Sequence, residues 1–170
     1  MAKGDEKRSL LFDTGPEGEV WERNVTRLHL DLAAVEHIHL SHWHRDHSGG
    51  MLTAISMISE AKGKSSPVSV GVHPSRPEFR GSMMHQPISL EADPTFEEIA
   101  NAGAEIVKSS EAHTVLGDLF LVSGEIPRLT NYELGLPRGI RFVAGEWVRE
   151  SHIMDERFVM VNLKGKYMVI

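Results

Sequence analysis

The order of elements along the 170 residues predicts an α/β (α+β) fold, or a β-sandwich covered by helices. Three observations carry that expectation. Short apolar runs alternate with segments of helical period through the first part of the chain. Later apolar runs are separated by turn residues, the pattern of hairpins. The composition, 41% hydrophobic and 25% charged, is that of an ordinary soluble globular chain, and excludes a disordered, collagen-like or coiled-coil one. No repeat, low-complexity tract or linker divides the sequence, so one domain over 1–170 is expected.

Ser9–Phe12 reads as a strand closed by the turn residues Asp13-Thr14-Gly15-Pro16. From Glu19 to Leu30, Val20, Trp21, Asn24, Val25 and Leu28 share one face of a helix. A second strand, Val35–Leu40, runs directly into a cluster of histidines. After Gly49-Gly50, which allow a tight turn, Met51–Ala61 is a helix that buries Met51, Leu52, Ile55 and Ile58. A polar loop over 62–67 precedes the strand Val68–Val72, which His73-Pro74 ends. Ser75–Asp93, interrupted by Pro77, Gly81 and Pro87, shows no period and reads as a long loop over something functional. A helix begins at Pro94-Thr95-Phe96 and stops at Gly103, and Glu105–Val107 resumes a strand. Thr114–Val115 and Leu119–Val122 form a hairpin around Leu116-Gly117-Asp118, and Arg141–Ala144 and Arg157–Leu163 are further strands. Tyr167–Ile170 pairs with Phe158–Leu163 across Lys164-Gly165-Lys166. The chain stops inside that apolar strand, so the expectation is a chain shorter than its fold, or one completed by another copy in a homo-oligomer.

No apolar run approaches the roughly twenty residues of a membrane-spanning helix. The opening MAKGDEKRSLLFD lacks the apolar stretch of a secretory leader, which favours a cytoplasmic location. The absence of cysteine excludes disulfides, thiolate metal sites and thiol nucleophiles. A net charge of −6 with scattered basic residues argues against a nucleic-acid partner and leaves a small-molecule substrate as the expected one.

Of the ten histidines, five fall between His37 and His47. His42-Trp43-His44-Arg45-Asp46-His47 is a pattern that chance gives a chain of this composition on the order of once in a thousand. Imidazole and carboxylate suit zinc, iron or manganese without thiolate. His42 and His44, two apart in an extended stretch, project to one side and can share an ion. Asp46 and His47, beyond a bend, can face a second ion about 3.5–4 Å from the first. Two such ions share a water whose pKa falls toward about 7, which makes it a hydroxide nucleophile.

Leu11-Phe12-Asp13-Thr14-Gly15, followed by Leu40-Ser41-His42-Trp43-His44-Arg45-Asp46-His47-Ser48-Gly49-Gly50, resembles the metallo-β-lactamase superfamily. Val72-His73-Pro74, Gly103-Ala104-Glu105-Ile106-Val107 and Val122-Ser123-Gly124-Glu125-Ile126-Pro127-Arg128 are similar to its dihydropterin–ribofuranosyl-aminobenzene-phosphate synthase-like subgroup. The resemblance runs from about Ser9 to the end. It implies an αββα sandwich, incomplete at the C-terminus, with two zinc ions, or iron or manganese. It assigns His42 and His44 to the first ion and Asp46 and His47 to the second, with Asp46 also catalytic, and Asp13 to orienting a ligand histidine. Members draw further ligands from later in the chain, in this subgroup from a Cys-Ser-His-Ala-Gly-like segment, before which these 170 residues end.

The implied function is a metal-dependent hydrolase that uses a metal-bound hydroxide on an ester, lactone or phosphoester-type bond. The alternatives are a pterin-precursor synthase-like or di-iron redox enzyme on the same fold, or a metal-binding subunit with little activity. His73 and His113 are candidates for an additional ligand or substrate contact. His85 and His152 read as surface residues, and His37 and His39 as packing beneath the loop. Arg76, Arg80 and Arg128 suit either an anionic group or the solvated surface, and Trp43 either lines the pocket or packs.

Overall fold

In the computed structural model, residues 2–3, 6–63, 66–163 and 166–170 are described. Strands β1 (Ala2–Lys3) and β2 (Glu6–Lys7) form a short antiparallel ribbon. The centre of the molecule is a parallel sheet of β3 (Ser9–Phe12), β4 (Val35–His39), β5 (Val68–Val72) and β8 (Ala104–Lys108), in that order. Parallel strands need crossovers. These are α1 (Gly18–Leu28) with a 3-10 turn at Leu32–Ala34, then α3 (Met51–Ala61), then α4 (Phe96–Asn101). A four-residue helix, α2 (Arg45–Ser48), precedes α3.

Local chemistry sets the helix ends. α1 stops at His29, whose left-handed φ of 52° turns its N–H back onto the carbonyls of Thr26 and Val25. Thr95 caps α4: its Oγ1 accepts the Glu98 N–H while the Glu98 carboxylate accepts the Thr95 N–H.

Alternation along the strands then sorts side chains into two layers. Ile38, Val68, Val70 and Val72 pack with Met51, Ala54, Ile55, Ile58 and Ile99 of the helices, and Leu11 joins them. Leu10 and Phe12 point the other way, onto Phe120, Val122, Val159 and Val161 of a second sheet. Each fully buried aliphatic side chain contributes about 1.5–3 kcal/mol. The second sheet is antiparallel, in the order β14 (Lys166–Val169), β13 (Val159–Leu163), β10 (Phe120–Val122), β9 (His113–Val115). Helices, parallel sheet and antiparallel sheet are thus three layers of an αββα sandwich.

The hairpin around Leu116-Gly117-Asp118 forms as expected, with all three residues at positive φ. The Tyr167 pairing with the preceding strand also forms, in register Asn162 with Tyr167, while Lys164 and Gly165 of its turn lie outside the described residues, as do Lys64 and Ser65 of the 62–67 loop. Tyr167, Met168, Val169 and Ile170 are exposed on β14, an edge strand.

The reading of 75–93 as a structureless loop is corrected. It contains β6 (Phe79–Met83) and β7 (Pro87–Ser89), which join β11 (Gly139–Val143) and β12 (Glu146–Arg149) in a third sheet, ordered β12-β11-β6-β7. The usual alternation is inverted in β6: Arg80 is buried, whereas Phe79 and Met83 are exposed. An inward arginine hides a strand from any hydrophobic pattern. β12 was not foreseen either, and pairs with β11 through Ala144 and Gly145, both at positive φ.

Candidate metal centre

The loop carrying the histidine motif leaves the carboxyl end of β4, an interior strand of the parallel sheet, the place where α/β sheets position ligands. Asp13, at the carboxyl end of neighbouring β3, has φ 58°, and its N–H is anchored on the His39 carbonyl. Its Oδ1 accepts the Ser41 N–H at 2.7 Å, and its Oδ2 accepts the Ser41 hydroxyl at 2.8 Å. The same Oδ2 lies 2.6 Å from His47 Nδ1. Asp13 therefore fixes the His47 ring with Nδ1–H toward the carboxylate and Nε2 outward, 3.6 Å from Asp46 Oδ2.

Ser41 propagates the order. Its one proton goes to Asp13, so its Oγ accepts from His42 Nδ1–H at 2.9 Å. His42 Nε2 then presents a lone pair to His44 Nδ1, 2.7 Å away. The His42 ring centre lies 4.6 Å from that of His44 and 4.3 Å from that of His47. Burial, then the neighbouring His47, lowers the His42 pKa; burial, then the Arg80 guanidinium, lowers that of His44 to about 4. Both rings are neutral at pH 7, the form that binds a metal.

Gly49 and Gly50 serve close approach rather than unusual dihedrals. Their φ values are −63° and −84°, but a Cβ on Gly49 would lie 1.7 Å from the Pro16 carbonyl oxygen, and one on Gly50 2.3 Å from that of Thr14. Through these glycines the 13–16 turn is bound to the loop, with the Thr14 N–H and hydroxyl both donating to the His47 carbonyl.

Trp43, between His42 and His44, packs rather than lining the pocket: it is fully buried, stands edge-on to Phe96, and donates from Nε1 to the His73 carbonyl. Its backbone N–H donates at 2.7 Å to Asp155, a residue that sequence reasoning missed. Asp155 is buried and ion-paired with Arg80, which also meets Glu150. Burial alone raises the Asp155 pKa, but Arg80 and the Trp43 N–H outweigh it, so the carboxyl is held below its usual range. The Arg157 N–H donates to the Ser41 carbonyl, so 155–157 clamps the loop from the far side. The loop itself carries no signal for Asp155, 112 residues further along the chain.

Arg80 is thus committed to internal carboxylates. Arg128 pairs with Glu156, and Arg76 binds the carbonyls of Asp93 and Pro94. Each of the three is thus engaged by groups of this chain.

His44 and Asp46 open onto a cavity of about 810 Å³, whose walls include Gly81 and Ser82 of β6, Leu90, Leu136 and Arg138. His73 is half-buried next to Trp43, its Nδ1 accepting the Ser75 N–H. His113 stands apart from the loop, packed against His39 with ring centres 6.4 Å apart. His85 is exposed, whereas His152 is half-covered and contacts the Glu133 carbonyl at 3.3 Å. His37 and His39 lie buried beneath the loop.

The chemistry of the donors, three imidazoles and a carboxylate, fits a borderline divalent ion. His42 lies between the other two imidazoles, its Nε2 2.7 Å from His44 Nδ1 and its ring centre 4.3 Å from that of His47, whose Nε2 is 3.6 Å from Asp46 Oδ2. Among the described residues, no three His, Asp or Glu side chains close on one point at coordination distance. Among the same residues, no helix is long and apolar enough to cross a membrane.

No protein-family model matches the chain. A 48-residue stretch, 28% of this chain, is 44% identical to the lactamase-like protein nscB of Neosartorya fischeri, of which it covers 15%. The crystal structure of Tm1679, a metal-dependent hydrolase of the β-lactamase superfamily, superposes with TM-score 0.68 at 21% identity, over 95% of this chain and 54% of that one. A metallo-β-lactamase from Cronobacter sakazakii is similar at TM-score 0.48 and 15% identity, over 94% of this chain and 52% of that one. The chain therefore spans about half the length of the solved structures it resembles. Its layers are those of the metallo-β-lactamase fold.

Proposed function

We propose that residues 1–170 carry the metal-loop half of a metal-dependent hydrolase acting on an ester, lactone or phosphoester-type bond of a small molecule. The observation that supports this reading is the pairing of donors at the cavity mouth: His42 Nε2 with His44 Nδ1 at 2.7 Å, and Asp46 with His47 at 3.6 Å, with His44 and Asp46 lining the 810 Å³ space. His42 and His44 would hold one ion and Asp46 and His47 a second; zinc suits this set, and iron or manganese are compatible with it. Bound ions would supply Lewis acidity and an activated water. The protein's own part is orientation. Asp13 aims His47, Ser41 aims His42, and Asp155 holds the backbone between His42 and His44. Asp46, exposed at the cavity wall, would help hold the second ion and orient the activated water.

Metal analysis and ester turnover test the reading together. The purified chain should carry transition metal at the loop, and His42→Ala with His44→Ala should lower affinity there by about 10–100-fold or more. Asp46→Asn should keep the fold and abolish turnover. Unchanged stoichiometry in the first variant would remove the metal assignment. Turnover within a few-fold of wild type in the second would leave a mononuclear or non-catalytic loop. A second reading, a metal-binding subunit with little activity of its own, is favoured by the lack, among the described residues, of three donors closing on one point, and full metal occupancy without turnover would select it. Iron in place of zinc would favour redox or pterin-precursor chemistry.

A further inference from the structure

We propose that the cavity beside the metal loop selects an amphipathic substrate, whose apolar body lies between Leu90 and Leu136 and whose far end carries an anionic group, carboxylate or phosphate, held by Arg138. The inference rests on the reading of the loop as a hydrolase site and names the substrate class of that site. The 810 Å³ space has two unlike sides. His44 and Asp46 stand on the loop side, and Leu90, Leu136 and Arg138, from segments that flank strands of the third sheet, stand on the other.

The far wall is preformed and tied to the loop. Arg80 of β6 reaches Asp155, the carboxylate that also accepts the Trp43 N–H, so β6 and the loop share one anchor. The Leu90 N–H donates to the Arg80 carbonyl at 2.8 Å, and Arg45, next to His44, pairs with Glu91 at 2.9 Å. On the other flank, the Leu136 N–H donates to the Ser151 carbonyl at 2.7 Å, and the Leu136 carbonyl accepts the Gly139 N–H at 2.9 Å. The two leucines are thus held in place by their backbones, yet they remain 50% and 46% exposed. Large apolar side chains left open on the wall of a cavity of this size mark where an apolar part of a ligand sits.

Charge selects the other end of the ligand. Arg45, the second arginine on the cavity wall, is neutralised by Glu91. The Arg138 guanidinium meets, among the described residues, only the Met84 sulfur, 3.3 Å from Nη1, and no carboxylate. Arg138 also lines an adjoining hollow of about 340 Å³, which shares Pro137 and Gly139 with the first. Arg149 lines that hollow with Trp147, donates to the Pro137 carbonyl at 3.3 Å, and likewise has no carboxylate partner among the described residues. None of the residues lining the hollow is acidic. Two guanidinium groups around one hollow without a counter-charge, in a chain of net charge −6, raise the local potential for an anion. Arginine offers a planar fork that a carboxylate or a phosphate fills with two hydrogen bonds.

The test uses the purified chain and three probes that share one apolar body: 4-phenylbutyrate, 4-phenylbutyl phosphate and the neutral 4-phenylbutan-1-ol, each followed by isothermal titration. At least one anion should bind about tenfold tighter than the alcohol, and which one does so identifies the group. Arg138→Gln should bring the anions to the level of the alcohol, and Leu136→Ser should weaken all three probes by about fivefold, with circular dichroism reporting the fold. The variant with His42→Ala and His44→Ala should keep the preference for the anion, because Arg138 and not a bound metal sets it. Equal binding of anions and alcohol, or a preference that survives Arg138→Gln, would overturn the proposal. A preference lost with the loop histidines but kept in Arg138→Gln would place the anion on the metal, and would overturn the proposal while supporting the metal assignment. Turnover is read separately. The p-nitrophenyl monoester of adipate should be hydrolysed with about tenfold higher kcat/KM than p-nitrophenyl hexanoate, and Arg138→Gln should level the two. No turnover of either ester, with the binding preference intact, would remove the hydrolase reading and leave Arg138 as the anion anchor of a binding site.

Discussion

Two groups of histidines lie at the two ends of one stretch of chain, and they are held in opposite ways. In the loop, His42 and His47 are tied through Ser41 and Asp13, and the backbone between His42 and His44 is tied to Asp155. Between the sheets, among the described residues, neither ring nitrogen of His39 has a hydrogen-bond partner, and the His37 ring has only Ser69. His37, His39, His42 and His44 are neutral for the same first reason, burial. The difference lies in the surrounding groups: the loop rings have oriented carboxylates and hydroxyls, whereas the inner rings have aliphatic and aromatic neighbours such as Phe12. A partnered cluster is pre-aimed at a ligand. An unpartnered one costs stability until something binds it.

The largest expected effect comes from removing what holds the loop. Arg80→Met would leave Asp155 buried without its cation and Glu150 with only Arg141, 3.8 Å away, and should cost about 3–5 kcal/mol in urea unfolding. Equal stability in that variant would show that the loop does not depend on the ion-pair network. Next, Asp13→Ala removes three hydrogen bonds at Ser41 and His47, and should weaken metal binding at the loop by about 10–100-fold in a chelator competition titration. Unchanged affinity would mean that Asp13 does not aim the loop ligands.

The third prediction reverses the sign. In chelator-treated protein, His39→Leu should raise stability by about 1–3 kcal/mol, because it replaces two unpaired buried nitrogens with an apolar side chain. A loss instead would mean that His39 has a partner in solution, such as a water.

The smallest effect is a slope with pH. His37 and His39 take up protons more readily in the unfolded chain, near pH 6.5, than in the folded one, near about 4 and about 3. Their neutral packing therefore stabilises fully above pH 6.5, and that contribution falls as pH drops from 6.5 toward 3. His39→Leu should flatten this acid limb in melting curves of metal-free protein. An unchanged limb would place the acid sensitivity elsewhere.

Much of this was legible before any coordinates, and the reasons are local. The strands Ser9–Phe12 and Val68–Val72 and the helix Met51–Ala61 appear with the expected bounds because their apolar residues repeat at the period of the element they form. The loop motif and Gly49-Gly50 are readable for a similar reason: neighbours in sequence are neighbours in the site, and glycine marks the place where the Asp13–Pro16 turn must approach.

Three things were decided only by tertiary structure, each because it depends on residues far apart in the chain. β6 could not be seen because Arg80 faces inward, which is tolerable only once Glu150 and Asp155 arrive from 70 and 75 residues away. Asp155 acquires its place under Trp43 only when the third sheet and the loop are brought together. His113 could be weighed as a ligand from its sequence, but which histidines it joins was set by the packing of the two sheets. That packing turns β9 toward the inner face of β4, where alternation along the strand had already aimed His37 and His39.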